Sequence, residues 1–152
     1  MKISAAGLAL LKKSEGLRLF QYKDVAGIPT IGYGHRLLHP DSFANGIDQP
    51  QAASLLASDV RDAEQAVERM VRVRLSQGQF DALVDFVFNL GMGRLASSTL
   101  LKCLNQGRFD DAAEQLLLWD HAAGKECAAL KARRAAELQL WKSSEARQLA
   151  AA

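Results

Sequence analysis

Residues 12–35 read KKSEGLRLFQYKDVAGIPTIGYGH, and the way this stretch is punctuated decides the fold. Before it, ISAAGLALL (3–11) is spaced as an amphipathic helix of about ten residues that ends near Ser14 or Gly16. After Gly16 the character changes. RLFQY offers alternating large residues, DVAG reads as a turn, and PTIGYGH is β-branched, aromatic and interrupted by glycine. These are the marks of a small antiparallel sheet over about 17–36. Glu15 closes the helix, and Asp24 lies nine positions on, in the turn. A loop, HPDSFANG, follows at 39–46.

From Asp48 the pattern is helical. Asp48 is placed to cap a helix with Pro50 in its first turn. Leu55, Leu56, Val60, Ala63, Val67 and Met70 or Val71 then recur every three or four residues, with charges on the opposite face. Ser76 and Gln79 form an S-x-x-Q capping box before FDALVDFVFNLG, which is apolar nearly all round and reads as a buried centre. SSTLLKCLNQG, closed by Gly107, and FDDAAEQLLLW are shorter helices. A last helix over about 126–142 precedes a tail expected to fray after Ser143. The expected class is α+β, mostly helical: one domain with a small N-terminal lobe (12–50), a linking helix (50–71) and an all-helical lobe (72–143 plus 1–11). A ligand is expected in a cleft between the lobes.

Composition narrows the function. The 152 residues carry 49% hydrophobic and 24% charged side chains, ordinary globular usage that rules against disorder. A net charge of +2 lacks the basic stripe of a nucleic-acid binder, though it favours approach to a polyanionic polymer such as a bacterial wall. Cys103 and Cys127 lack metal-ligand spacing, and two buried thiols are expected rather than a disulfide. The nine-residue apolar run 3–11 falls short of the about 20 needed to span a bilayer, and the lysines after it do not suit a secretory cleavage site. No stable membrane insertion, metal or cofactor is expected.

Glycosidic bond hydrolysis needs two carboxyl groups in different environments, one protonated and one ionised. Glu15, after an apolar helix, is placed for burial to keep it protonated. Asp24, in a glycine-containing turn, is placed to stay charged among water and backbone donors. Thr30 on the returning strand offers a hydroxyl to a water between them. Taken singly, a helix-end Glu, a turn Asp and a strand Thr are ordinary structural residues, and His35 at a strand end is ordinarily a hydrogen-bonded one.

The whole string EGLRL, then Y-x-D-x-x-G-x-x-TIGYGH, resembles the phage-type lysozymes, the endolysins of glycoside hydrolase family 24. The likeness continues through QFDALVDFVFNLG, SSTLLKCLNQG and FDDAAEQLLLW in family order, over about residues 5–142. It implies hydrolysis of the β-1,4 bond between N-acetylmuramic acid and N-acetylglucosamine in peptidoglycan, with inversion. Glu15 is then the general acid, Asp24 the second carboxylate and Thr30 the residue that orients water. Arg36, Phe88 and Gln115 fall at substrate-binding positions, and His35 is a supporting residue. From CAALKARRAAE (127–137) an arginine, Arg133 or else Arg134, supports the acid. Ala129 stands where relatives carry glycine, which predicts lost positive-φ freedom and a local backbone shift.

Two rivals remain on sequence alone: a lytic transglycosylase, which an isolated glutamate would favour, and a catalytically weak wall-binding module on a lysozyme fold. The expected setting is a monomer that accumulates in the host cytoplasm and reaches peptidoglycan through a separate pore, a holin.

Overall fold

The computed structural model describes residues 1–151 and divides into two compact units, Leu11–Asp62 and Met1–Leu10 with Ala63–Ala152. Two helices, α1 (Ala5–Glu15) and α2 (Gln49–Met70), each contribute to both units.

In the Leu11–Asp62 unit, α1 stops at Glu15 because Gly16 takes a left-handed turn (φ 70°), its N–H bonded to the Lys12 carbonyl at 3.0 Å. The chain then enters a three-stranded antiparallel sheet, β1 (Arg18–Lys23), β2 (Pro29–Gly32) and β3 (His35–Arg36), in that order. Arg18 pairs with Gly32 and Tyr22 with Thr30, so a bulge interrupts β1 between Arg18 and Tyr22. Ile31, Leu37, Ile47 and Ala52 are buried against Leu17, Leu19, Tyr33, Phe43 and Leu55. The Asp48 carboxylate accepts the Gln51 N–H at 2.7 Å while the Gln51 side chain accepts the Asp48 N–H at 2.8 Å, the reciprocal cap that starts α2.

The other unit is helical: α3 (Gln77–Leu90), α4 (Met92–Ala96), α5 (Thr99–Asn105), α6 (Phe109–Leu117) and α7 (Ala128–Ala151). The Ser76–Gln79 capping box is present, and Gly78 to Val87 are buried, so α3 is the core helix that its apolar sequence indicates. α3 packs on α7, and α5 on α6.

The sequence reading passed over two elements. α4 spans five residues, too few for a period to show. The hairpin β4 (His121–Ala122)/β5 (Lys125–Glu126) turns through Ala123 and Gly124, both at positive φ (50° and 76°). That is the backbone of a tight hairpin turn, but its Ala-Gly pair lacks the usual Asn or Asp at the first position. α7 begins at Ala128 and runs to Ala151, past the end expected near 142. Ala129 needs correction. It is the second residue of α7 and is exposed, and Ala123 is the one non-glycine residue at positive φ among those described. No left-handed conformation is needed at 129, and alanine there simply favours the helix. Both cysteines are free; Cys103 is buried, while Cys127 is only half-buried.

An alanine in the left-handed region costs about 1–2 kcal/mol. Ala123→Asn, which tolerates that region and suits the turn, is expected to stabilise the fold by about 1 kcal/mol. The expected reading is a higher urea midpoint at an unchanged m-value. An unmoved midpoint would show that the turn is not strained.

Candidate active site

Glu15, Asp24, Thr30, His35 and Arg36 all belong to the Leu11–Asp62 unit; Phe88, Gln115, Arg133 and Arg134 belong to the other. Glu15 is half-buried at the end of α1. The Tyr33–Gly34 turn between β2 and β3 comes close to it. A Cβ at Gly34 would sit 2.7 Å from Glu15 Oε2, and Gly34 is at φ 76°. Only glycine lets the backbone reach the carboxylate here. Gly34→Ala is expected to displace it, and misplacement of a catalytic group by about 1 Å can lower rate about 100-fold. We expect kcat to fall at least tenfold in Gly34→Ala protein that remains folded by circular dichroism; wild-type kcat would remove Gly34 from the site.

Asp24 is held by its own turn. Its Oδ1 accepts the Ala26 and Ile28 N–H groups at 2.8 and 2.9 Å, while its N–H donates to the Ile28 carbonyl at 3.0 Å. Oδ2 lies 3.5 Å from Arg36 Nη2. Thr30, 2% exposed, donates its hydroxyl hydrogen to the same Ile28 carbonyl at 2.9 Å. That leaves its lone pairs as acceptors. One residue, Ile28, therefore fixes both the carboxylate, through its N–H, and the hydroxyl, through its carbonyl.

Beside this group, His35 Nδ1–H donates to both Asp59 carboxylate oxygens, at 3.0 and 2.8 Å, tying β3 to α2. Burial pushes the Asp59 carboxyl above its ordinary pKa. The His35 hydrogen bond works against this, and Asp62 adds to the rise. Asp59 was not foreseen, since an acid on a charged helix face gives no signal of its own.

In the helical unit Phe88 lies in the last turn of α3 and Gln115 lies on α6, both half-buried. Arg133 makes a two-pronged contact with Asp85, Nε to Oδ2 at 2.8 Å and Nη2 to Oδ1 at 2.9 Å. Arg134 is fully buried, with Nη2 2.8 Å from both Asn89 Oδ1 and Glu137 Oε1 and the guanidinium 5.2 Å from the Phe86 ring. Burial, and then the adjacent Asp85, push the Glu137 carboxyl well above its ordinary value. Asp85 and Asn89 were missed, although a charge in the middle of so apolar a helix as FDALVDFVF was a legible signal. Among the described residues, no group of three or more His, Cys, Asp or Glu side chains could hold a metal ion, and no helix is long and apolar enough to cross a membrane.

A helix-end glutamate, a turn-held aspartate and a strand threonine, on a short sheet within a mostly helical chain, form the arrangement that the resemblance to lysozyme-type glycoside hydrolases implies. Comparison with known proteins agrees. Residues 12–137 match the phage lysozyme family. The chain is 42% identical to the endolysin of Salmonella phage P22 over 146 residues, covering 94% of this chain and 99% of that one. It is equally, 42%, identical to the endolysin of Bacillus phage B103 over 151 residues, of whose length it spans only 56%. Among solved structures, the muramidase domain of SpmX from Asticaccaulis excentricus superposes with a TM-score of 0.82 at 36% identity, over 92% of this chain and 97% of that one. The chain belongs to the phage lysozyme family: it is a lysozyme, and so a glycoside hydrolase.

Proposed function

We propose that this lysozyme works as an endolysin muramidase of glycoside hydrolase family 24. It hydrolyses the β-1,4 bond between N-acetylmuramic acid and N-acetylglucosamine in peptidoglycan, for host lysis. Glu15 gives its proton to the leaving oxygen as general acid. Asp24 is the second carboxylate, acting as base on a water that Thr30 orients.

The observation that carries this reading is the hydrogen-bond commitment around Ile28. With Thr30's hydrogen spent on the Ile28 carbonyl, its oxygen can only accept from a water. With Asp24 Oδ1 occupied by two N–H groups, Oδ2, which lies 3.5 Å from Arg36 Nη2, is the oxygen left for chemistry. A water that gives one hydrogen to each of these acceptors has its own lone pair free to attack the anomeric carbon. Direct attack by water inverts the configuration. A lytic transglycosylase has no use for this pair of acceptors, since its nucleophile is a hydroxyl of the substrate.

Arg36, Phe88 and Gln115 are the proposed substrate contacts. His35 supports the β3 end through Asp59. Both arginines are already paired, Arg133 with Asp85 and Arg134 with Asn89 and Glu137, and as the resemblance implies we assign support of the acid to Arg133, or else to Arg134. The proposed setting is a monomer made in the host cytoplasm and passed to the wall by a holin. Finding the protein in the periplasm of cells that lack a holin would overturn that route.

The test of the reaction is muropeptide analysis by mass spectrometry after incubating purified peptidoglycan with wild type, Glu15→Gln and Asp24→Asn. Reducing-end products from wild type, lost in both variants, are expected. Anhydro products would make it a transglycosylase. Wall binding without products would leave a binding module.

A further inference from the structure

Three residues stand directly opposite one another across the sheet: Tyr22 on β1 pairs with Thr30 on β2, and Thr30 pairs with Arg36 on β3. Directly paired residues present their side chains on the same face, with Cβ atoms about 4.5–5.5 Å apart. Thr30 and Arg36 already have proposed roles, beside the water and against Asp24. Tyr22 has none, yet it occupies the third place in the row. It also lies two residues before Asp24, which sits in the turn just past the end of β1.

Its ring is held from one side. The Arg18 guanidinium lies 4.5 Å from the Tyr22 ring centroid, where the bulge bends β1. Burial lifts the half-buried Tyr22 phenol above its ordinary pKa; Arg18 pulls the other way, and the charges of Glu15 and Asp24 add to the rise. Both proposed catalytic carboxylates thus act on one hydroxyl, which keeps its proton and so remains a hydrogen-bond donor.

We infer that Tyr22 is a substrate-contacting residue, its phenol hydroxyl donating to a polar oxygen of the glycan chain beside Asp24, with Arg18 the positioning residue that holds its ring. This rests on the assignment of Glu15 and Asp24 above.

The experiment compares kcat, KM and melting temperature for wild type, Tyr22→Phe, Arg18→Met and Glu15→Gln on soluble, uncrosslinked peptidoglycan strands. Phenylalanine keeps the ring and its Arg18 contact and removes only the hydroxyl. The expected result is a Tyr22→Phe enzyme with unchanged melting temperature and kcat/KM lowered about tenfold, the effect of losing one well-placed hydrogen bond. Arg18→Met should raise KM, and the double variant should be no worse than Tyr22→Phe alone. Tyr22→Phe within about twofold of wild-type kcat/KM, with Glu15→Gln inactive, would overturn the inference and leave the acid assignment standing. Activity persisting in Glu15→Gln would overturn the assignment itself, and the inference with it.

Discussion

Glu15→Gln is expected to lower turnover of peptidoglycan by about 100- to 10,000-fold, the range for removing a general acid, while leaving the melting temperature close to that of wild type. The substitution is nearly isosteric. That matters because Gly34 approaches Oε2 so closely that a bulkier group would not fit. An amide of the same shape keeps the packing against the Tyr33–Gly34 turn but has no proton to give to the leaving oxygen. The loss should appear in kcat, since the proton is transferred only in the transition state. Turbidity clearance of purified walls, read beside a thermal melt, decides the matter. A folded Glu15→Gln protein that clears walls at the wild-type rate would remove Glu15 as the acid.

The candidate site's local geometry was legible where residue type and turn grammar coincide. Asp24 lies in DVAG, and the structure shows why an aspartate belongs there: its Oδ1 takes the two N–H groups that the turn leaves over. Thr30 was legible as a strand hydroxyl, but that it would be an acceptor only could not be read. That depends on the Ile28 carbonyl lying within reach, which follows from the turn closing. Gly34 was visible as one glycine in TIGYGH. What the sequence could not show is the carboxylate on the other side of it, since Glu15 and Gly34 are brought together by the sheet folding back on the end of α1.

The boundaries of α2 and α3 were legible to within a residue or two, whereas α7 runs nine residues past its expected end. α2 and α3 each begin beside a side-chain cap written into the sequence, Asp48 and Ser76. The missed elements lack such signals: five residues make α4, and the β4–β5 hairpin turns on an alanine held where glycine or asparagine is usual. Ala129 shows the opposite error. A residue that departs from the family pattern suggested a disturbed backbone, whereas the position is ordinary helix and alanine suits it.

Arg134→Met should be strongly destabilising to the helical unit. Arg134 and Glu137 are both fully buried and Arg133 and Asp85 nearly or wholly so, which packs four ionisable side chains into the α3–α7 contact. Methionine leaves the Asn89 carbonyl and the Glu137 carboxyl buried without the guanidinium beside them, at about 1–3 kcal/mol for each orphaned group. For a chain of this size that is a drop of roughly 10 °C or more in melting temperature. Glu137→Gln should behave differently, and pH separates the two. Because the folded pKa of Glu137 is raised, the stability it contributes is fully present below its unfolded pKa of about 4.3 and is lost as pH climbs through the folded value. Glutamine, which never ionises, escapes that loss. Glu137→Gln should therefore match wild type most nearly in acid and gain on it as pH rises, whereas Arg134→Met stays well below wild type throughout. Urea unfolding at about pH 4 and pH 8 checks both. If Glu137→Gln fell further behind wild type at the higher pH, the buried carboxyl would be ionised in the folded protein, with its attraction to Arg134 outweighing burial and the neighbouring Asp85.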